Sequence, residues 1–269
     1  MAISQRFKTQ MQSGKPLVGT LLTLPSPQIA EIMAQVGFDW LMIDMEHSTI
    51  DLATAQTMVQ AATAKSCCLI RVRWNDSAVI KQALDIGCDG VIIPQILSAE
   101  EALAAVAACK YPPLGIRSLG IDRAQGYGMT LLESAIGAND SIAVILHVEH
   151  IEAVNRIEAI LEVAGIDGIF VGPYDLSASM GLIGDVANHG VQKAIETVRV
   201  ACEDRGVPIG IFATDAEAAG RYIVNGFQFV VLGGDILYLG CGGQQAMQTV
   251  RSFTSLTHSV NPTKSNDCA

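Results

Sequence analysis

Aromatic residues make up only 5% of this chain and charged residues only 16%, and bases are the scarcer sign, 17 Lys and Arg against 27 Asp and Glu for a net charge of −10. The shortage of bases argues against nucleic acid or an anionic membrane as a partner. Scarce charge alongside 50% apolar residues excludes an intrinsically disordered chain, and suggests surface hidden in a large core or between subunits. No apolar run approaches the ~18 residues that span a bilayer. Met1 to Pro16 carries Arg6, Lys8 and Lys15 with no apolar stretch behind them, unlike a secretory leader. Seven cysteines form no C-x-x-C pair, which reads as reduced, buried thiols of a cytoplasmic protein.

What the chain does contain is a rhythm. A helical stretch ends at Gly and a short apolar run follows, at Gly37, Gly87, Gly165 and Gly226. Glycine suits the residue after a helix because it takes positive φ without a Cβ penalty. Four further apolar runs lie between these units, Leu17 to Leu22, Cys68 to Val72, Ile142 to Val148 and Val207 to Phe212. Eight nearly continuous apolar runs, separated by amphipathic stretches such as Asp51 to Lys65 and Val191 to Gly206, predict strands buried on both faces. The length of 269 residues fits a parallel (β/α)8 TIM barrel, with a doubly wound open sheet as the alternative. One domain is expected over 1–253 and a polar, flexible tail over 254–269. The long connection from Gly115 to about Ser141 is a candidate cover for the site.

In such a barrel, chemistry collects at the C-terminal ends of the strands. Those ends carry Asp44, Glu46 and His47, then Arg71 and Arg73, then His147, Glu149 and His150, then Tyr174 and Asp175. Residues two apart on a strand share a face, so Arg71 is paired in direction with Arg73, and His147 with Glu149. Glu149 and Asp175, on adjacent strand ends, could give two oxygens to a hard divalent cation. Two plainer readings stay open, an ion pair of Glu149 with Arg71 and a helix cap by Asp175. His47 is a candidate general base, with Asp44 beside it. These residues describe a metal-assisted enzyme for a small anionic substrate.

Ile43-Asp44-x-Glu46-His47, Arg71-x-x-Trp74-Asn75-Asp76, Tyr111-Pro112-Pro113-x-Gly115-Ile116-Arg117, Val148-Glu149 and Gly172-Pro173-x-Asp175-Leu176-Ser177 resemble the HpcH/HpaI aldolase family, the class II pyruvate aldolases. The resemblance spans about residues 16–250. It implies a TIM barrel of the phosphoenolpyruvate/pyruvate superfamily whose last helix is exchanged between subunits of a homohexamer or trimer. It implies reversible cleavage of a 4-hydroxy-2-oxo acid into pyruvate and an aldehyde, through an enolate held on Mg2+, Mn2+ or Co2+. Glu149 and Asp175 match the metal-binding carboxylates, Arg71 the arginine beside the enolate oxygen, and His47 the base. Asp85 matches an acid that acts on that histidine, from across a subunit interface, and the backbone around Tyr174 and Asp175 matches the cradle of the pyruvate carboxylate. Four positions depart from the family pattern, one of them Leu21, in the region where some members place a tryptophan. His147 stands where Gln is usual, so it could bond the keto acid, join the metal or titrate; Tyr174 replaces Ala or Ser; Phe212 replaces a smaller aliphatic residue. Oxaloacetate decarboxylation through the same enolate is the alternative activity, and a non-catalytic keto-acid-binding barrel the remote one.

Overall fold

The structure, a computed structural model, describes residues 6–259. Eight parallel strands close in sequence order: β1 (Leu17–Leu22), β2 (Trp40–Asp44), β3 (Cys67–Arg71), β4 (Gly90–Ile93), β5 (Ala143–Val148), β6 (Gly168–Val171), β7 (Ile209–Ala213) and β8 (Phe229–Gly234). The expected barrel is therefore present, and an open sheet is excluded by the pairing of β1 with β8, Leu17 opposite Phe229. Ahead of β1 lies α1 (Arg6–Gln12), and after the first four strands come α2 (Pro27–Val36), α3 (Leu52–Ala62), α4 (Ser77–Asp85) and α5 (Ala99–Cys109). A 3-10 segment (Arg123–Gly128) and α6 (Leu131–Ser141) precede β5; α7 (Ile151–Asn155) and α8 (Ile157–Leu161) follow it. The remaining helices are α9 (Pro173–Ser179), α10 (His189–Arg205), α11 (Ala216–Val224) and α12 (Asp235–Ser259).

The Gly-led rhythm has a structural counterpart at the N-terminal end of the barrel. Gly37, Gly87, Gly165 and Gly226 all take positive φ. Two residues beyond each, a polar side chain accepts a backbone N–H from the neighbouring strand. Asp39 accepts from Val18, Asp89 from Cys68, Asp167 from Val144 and Gln228 from Ile209, all at 2.7–2.9 Å. The same four residues donate their own N–H back to those strand residues' carbonyls. Each contact is a two-way clamp, joining β1 to β2, β3 to β4, β5 to β6 and β7 to β8.

Two apolar regions result. One lies between the strands and the helices; the other fills the barrel interior with Phe7, Trp40, Met42, Leu69, Phe170 and Phe229. Phe7 reaches in from α1, its ring 5.3 Å from Trp40 and 5.9 Å from Phe229, so α1 stoppers the N-terminal end. Lys8 holds α1 in place through Asp167 at 2.7 Å.

The connection from Gly115 to Ser141 does not cover this chain's own site. It comes after α5, which has already returned the chain to the N-terminal end of the barrel, and Arg123 there bonds the carbonyls of Ile86 and Gly87. Its α6 then leads directly into β5. The backbone of 254–259 continues α12; the rest of the expected tail, 260–269, lies outside the described residues. Among the described residues no helix is long and apolar enough to cross a membrane.

Candidate active site

The C-terminal ends of the strands enclose a cavity of about 310 Å3 lined by Leu21, Met42, His47, Arg71, His147, Phe170, Gly172, Pro173, Tyr174, Asp175 and Phe212. Its floor is Phe170, whose ring stacks on Phe229 below and lies 5.4 Å from the His147 imidazole. Tyr174 and Phe212 meet edge to face at 6.1 Å on one wall. Both aromatic departures from the family pattern thus border the same space.

Arg71 ends β3 and turns inward. Its Nε donates to Asp44 Oδ1 at 2.9 Å and its Nη2 to Asp44 Oδ2 at 2.7 Å, a two-point grip that fixes the plane of the guanidinium. Register explains the match, since Asp44 and Arg71 are paired across β2 and β3. Burial opposes the charge on Arg71, but the bonds and charge of Asp44 together with the charges of Glu46 and Glu149 outweigh it and raise the pKa. Asp44 is fully buried and does not line the cavity. It also accepts the backbone N–H groups of Glu46 and His47, so it orients Arg71 and the turn that carries His47. The His47 side chain is 62% exposed at the rim, its Nε2 3.8 Å from Glu46 Oε2.

Glu149, one residue past β5, is buried and accepts both the backbone N–H and the side-chain amide of Gln95 on Oε1, at 2.9 and 3.2 Å. Burial pushes its pKa up to about 7, with Glu46 and Asp175 adding to the rise and Arg71 opposing it. Glu46 likewise rises to about 7, through burial first, with Arg71 opposing and Asp44 and Asp175 adding. His147 is held in its neutral form, chiefly by burial and then by the charges of Arg71 and His47. Asp175 stands in the first turn of α9, exposed at the cavity edge.

This donor set fits a divalent cation. Glu46, His147 and Glu149 each present one ligand atom within 4.8 Å of the others. Glu46 Oε2 and His147 Nε2 are buried without a hydrogen-bond partner. Crowded, desolvated carboxylates beside a neutral imidazole suit an added positive charge.

Three expected residues sit elsewhere. Asp85 ends α4 at the opposite end of the barrel, where its Oδ1 accepts Arg117 Nη2 at 2.7 Å; within one chain it is remote from His47. Arg73 lies beyond β3 and, unlike Arg71, leaves the cavity: it donates to the carbonyls of Met45 and Ile50 and braces the turn after β2. His150 caps α7 through its Nδ1. Two further residues are brought into the site. Glu46 shares the inward side of its turn with Asp44, a two-residue spacing visible in the sequence. Gln95 is not signalled there at all; its φ of 60° is a backbone conformation uncommon for a side-chain-bearing residue, and in it the N–H and amide converge on Glu149.

Comparison with known proteins identifies the family. The chain is 40% identical over 240 residues, 88% of its length and 91% of the relative's, to a 4-hydroxy-2-oxo-heptane-1,7-dioate aldolase of Salmonella dublin. A crystal structure of an HpcH/HpaI aldolase/citrate lyase family protein from Burkholderia cenocepacia J2315 superposes with a TM-score of 0.89 at 34% identity, over 92% of this chain and 99% of that one. An HpcH/HpaI aldolase from Desulfitobacterium hafniense DCB-2 gives 0.86 at 32%, over 92% and 97%. The family model for HpcH/HpaI aldolase/citrate lyase matches residues 18–239, and the chain belongs to that family.

Proposed function

We propose that this chain is a divalent-metal-dependent aldolase that cleaves a 4-hydroxy-2-oxo acid into pyruvate and an aldehyde, reversibly. The observation that carries the reading is the buried Arg71 guanidinium, fixed by Asp44 beside a cluster of desolvated carboxylates and facing the cavity. Cleavage creates negative charge on the keto oxygen, and a preorganised cation is worth most where such charge develops. Arg71 supplies it there. His47 takes the proton from the C4 hydroxyl; the C3–C4 bond then breaks, its electron pair passing into the C2 keto group as the aldehyde leaves. A proton returned to C3 completes pyruvate. Glu149 and Asp175 are assigned to a divalent cation, Mg2+, Mn2+ or Co2+, which would supply Lewis-acid withdrawal of charge from the keto oxygen.

The acceptor side is bounded by Tyr174, Phe212 and Leu21, an apolar wall that suits the carbon chain of an aldehyde more than a charged one. The test is pyruvate release from 4-hydroxy-2-oxo acids with each metal, against chelator-treated protein and against oxaloacetate. Metal-dependent release from the hydroxy acid is expected. Release from oxaloacetate alone would favour the decarboxylase, and release from neither would overturn the reading.

Assembly is part of the same proposal. After its first turn α12 exposes Leu239, Met247, Val250 and Phe253, an apolar series on a helix of 25 residues. A second copy of this chain is its proposed cover, and an oligomer is also the arrangement by which Asp85 could reach a neighbour's His47. Sedimentation of the wild type against Met247→Asp and Phe253→Asp checks it. The five buried free cysteines, Cys67, Cys68, Cys88, Cys109 and Cys202, suit a reducing cytoplasm.

A further inference from the structure

His147 is the least accommodated polar group in the barrel. The imidazole is 1% exposed, wedged between the Phe170 ring and the bare backbone of Gly172. A Cβ added at Gly172 would come within 2.4 Å of Nε2 and 3.1 Å of Cε1, so the space the ring occupies depends on glycine there. Nε2 has no hydrogen-bond partner, and Nδ1 meets only Glu149 Oε2, at 3.0 Å and without the geometry of a hydrogen bond. Leaving both nitrogens of a buried imidazole so placed costs the desolvation of each. Around a divalent ion with bonds of about 2.1 Å, neighbouring ligand atoms are about 3.0 Å apart and opposite ones about 4.2 Å. The 3.0 Å contact matches neighbouring ligands of such a shell, and the ligand atoms of Glu46, His147 and Glu149, all within 4.8 Å of one another, need only a small contraction to meet its full span.

We propose that His147 is itself a ligand of the metal, turning an all-oxygen site into a mixed nitrogen–oxygen one. The proposal rests on the reading that Glu149 and Asp175 hold a divalent ion. Imidazole adds little for Mg2+, which favours oxygen, and much for the later first-row ions. Preference should therefore run toward Mn2+ and Co2+ over Mg2+.

The experiment uses full-length protein stripped with chelator and reloaded with Mn2+, read by pulsed EPR, which detects the 14N coupling of a directly bound imidazole. The wild type should show that coupling. His147→Gln should still bind Mn2+ but lose the coupling, and its Co2+-over-Mg2+ affinity ratio should fall at least tenfold in competition titrations. His47→Gln, at the exposed rim, should keep the coupling. Mn2+ that binds, is lost in Glu149→Gln and shows no nitrogen coupling would overturn the ligand assignment while leaving the metal site standing. Coupling that persists in His147→Gln, or vanishes in His47→Gln, also overturns it. Failure of the wild type to bind Mn2+ at all removes both readings. Should His147→Gln not fold, Gly172→Ala gives the second arm, since it displaces the ring and should change the coupling or abolish it; an unchanged coupling would count against His147.

Discussion

The two ends of this barrel are built on opposite principles from one set of strands. At the N-terminal end, Phe7, Trp40 and Phe229 pack ring against ring, and four two-way clamps join the strands in pairs, each clamp side chain accepting a backbone N–H. At the C-terminal end, Asp44, Glu46, Arg71, His147 and Glu149 are brought out of water together, and two of them keep polar atoms with no hydrogen-bond partner. Phe170 is the partition, stacked on Phe229 on one side and against His147 on the other. Stability is made below it. The candidate site lies above it, in a place where burial is electrostatically unfavourable.

Changes on opposite sides of Phe170 should therefore separate turnover from stability. The largest expected effect is on Arg71. Arg71→Lys keeps the charge but loses the two-point grip of Asp44, and turnover should fall by about 10²- to 10³-fold while the thermal midpoint moves little. Steady-state pyruvate release alongside thermal unfolding checks both halves; an intact kcat would remove Arg71 from the mechanism. Below the partition, Phe229→Ala should cost about 3–5 kcal/mol by denaturant unfolding. The molecules that remain folded should keep their kcat. A fall in kcat matching the loss of stability would show that the two ends are not independent.

A third effect concerns pH. Glu46 and Glu149 carry pKa values of about 7 in the folded chain, against 4.5 as the ordinary value. Between those limits the folded state binds more protons than the unfolded one. Raising the pH from 4.5 through 7 should thus destabilise the metal-free protein, whereas divalent-ion affinity should rise over the same interval. Glu149→Gln should flatten the stability profile; a profile as steep as the wild type's would show that Glu149 is not its source. The smallest expected effect is on the wall. Phe212→Ala should shift preference toward bulkier aldehydes by about tenfold in kcat/KM, with pyruvate formation from the best substrate otherwise retained. Equal changes for large and small aldehydes would place Phe212 outside the acceptor space.

The sequence announced these two ends unequally. All eight strands were legible because burial on both faces leaves long apolar runs, and the first was bounded to the residue at Leu17 and Leu22. Strand ends pointed to Arg71, His147 and Glu149, since alternation decides which residues turn inward. Alternation stops where a strand stops, however, which is why Arg73 was expected beside Arg71 and instead braces a turn. Gln95 was invisible for the same reason: its role depends on one irregular φ in a loop. The 115–141 segment was misplaced because a connection's length does not tell at which end of a barrel it lies. Counting the helix that precedes it would have. The clamps at Asp39, Asp89, Asp167 and Gln228 each lie two residues after a glycine, but a lone polar residue at a strand start does not by itself signal a bond to the neighbouring strand.

The stopper at the N-terminal end also bears on how the molecule forms. Phe7 must find Phe229, and Leu17 must pair beside it, so closure joins segments more than two hundred residues apart. Contacts of such separation come late, because the entropy of closing the loop is spent before they form. During synthesis, successive strand pairs could assemble on their clamps as each emerged from the ribosome. The interior would stay open, its aromatic side chains unmatched, until β8 arrived, so the last strand made completes the environment of a side chain more than two hundred residues ahead of it.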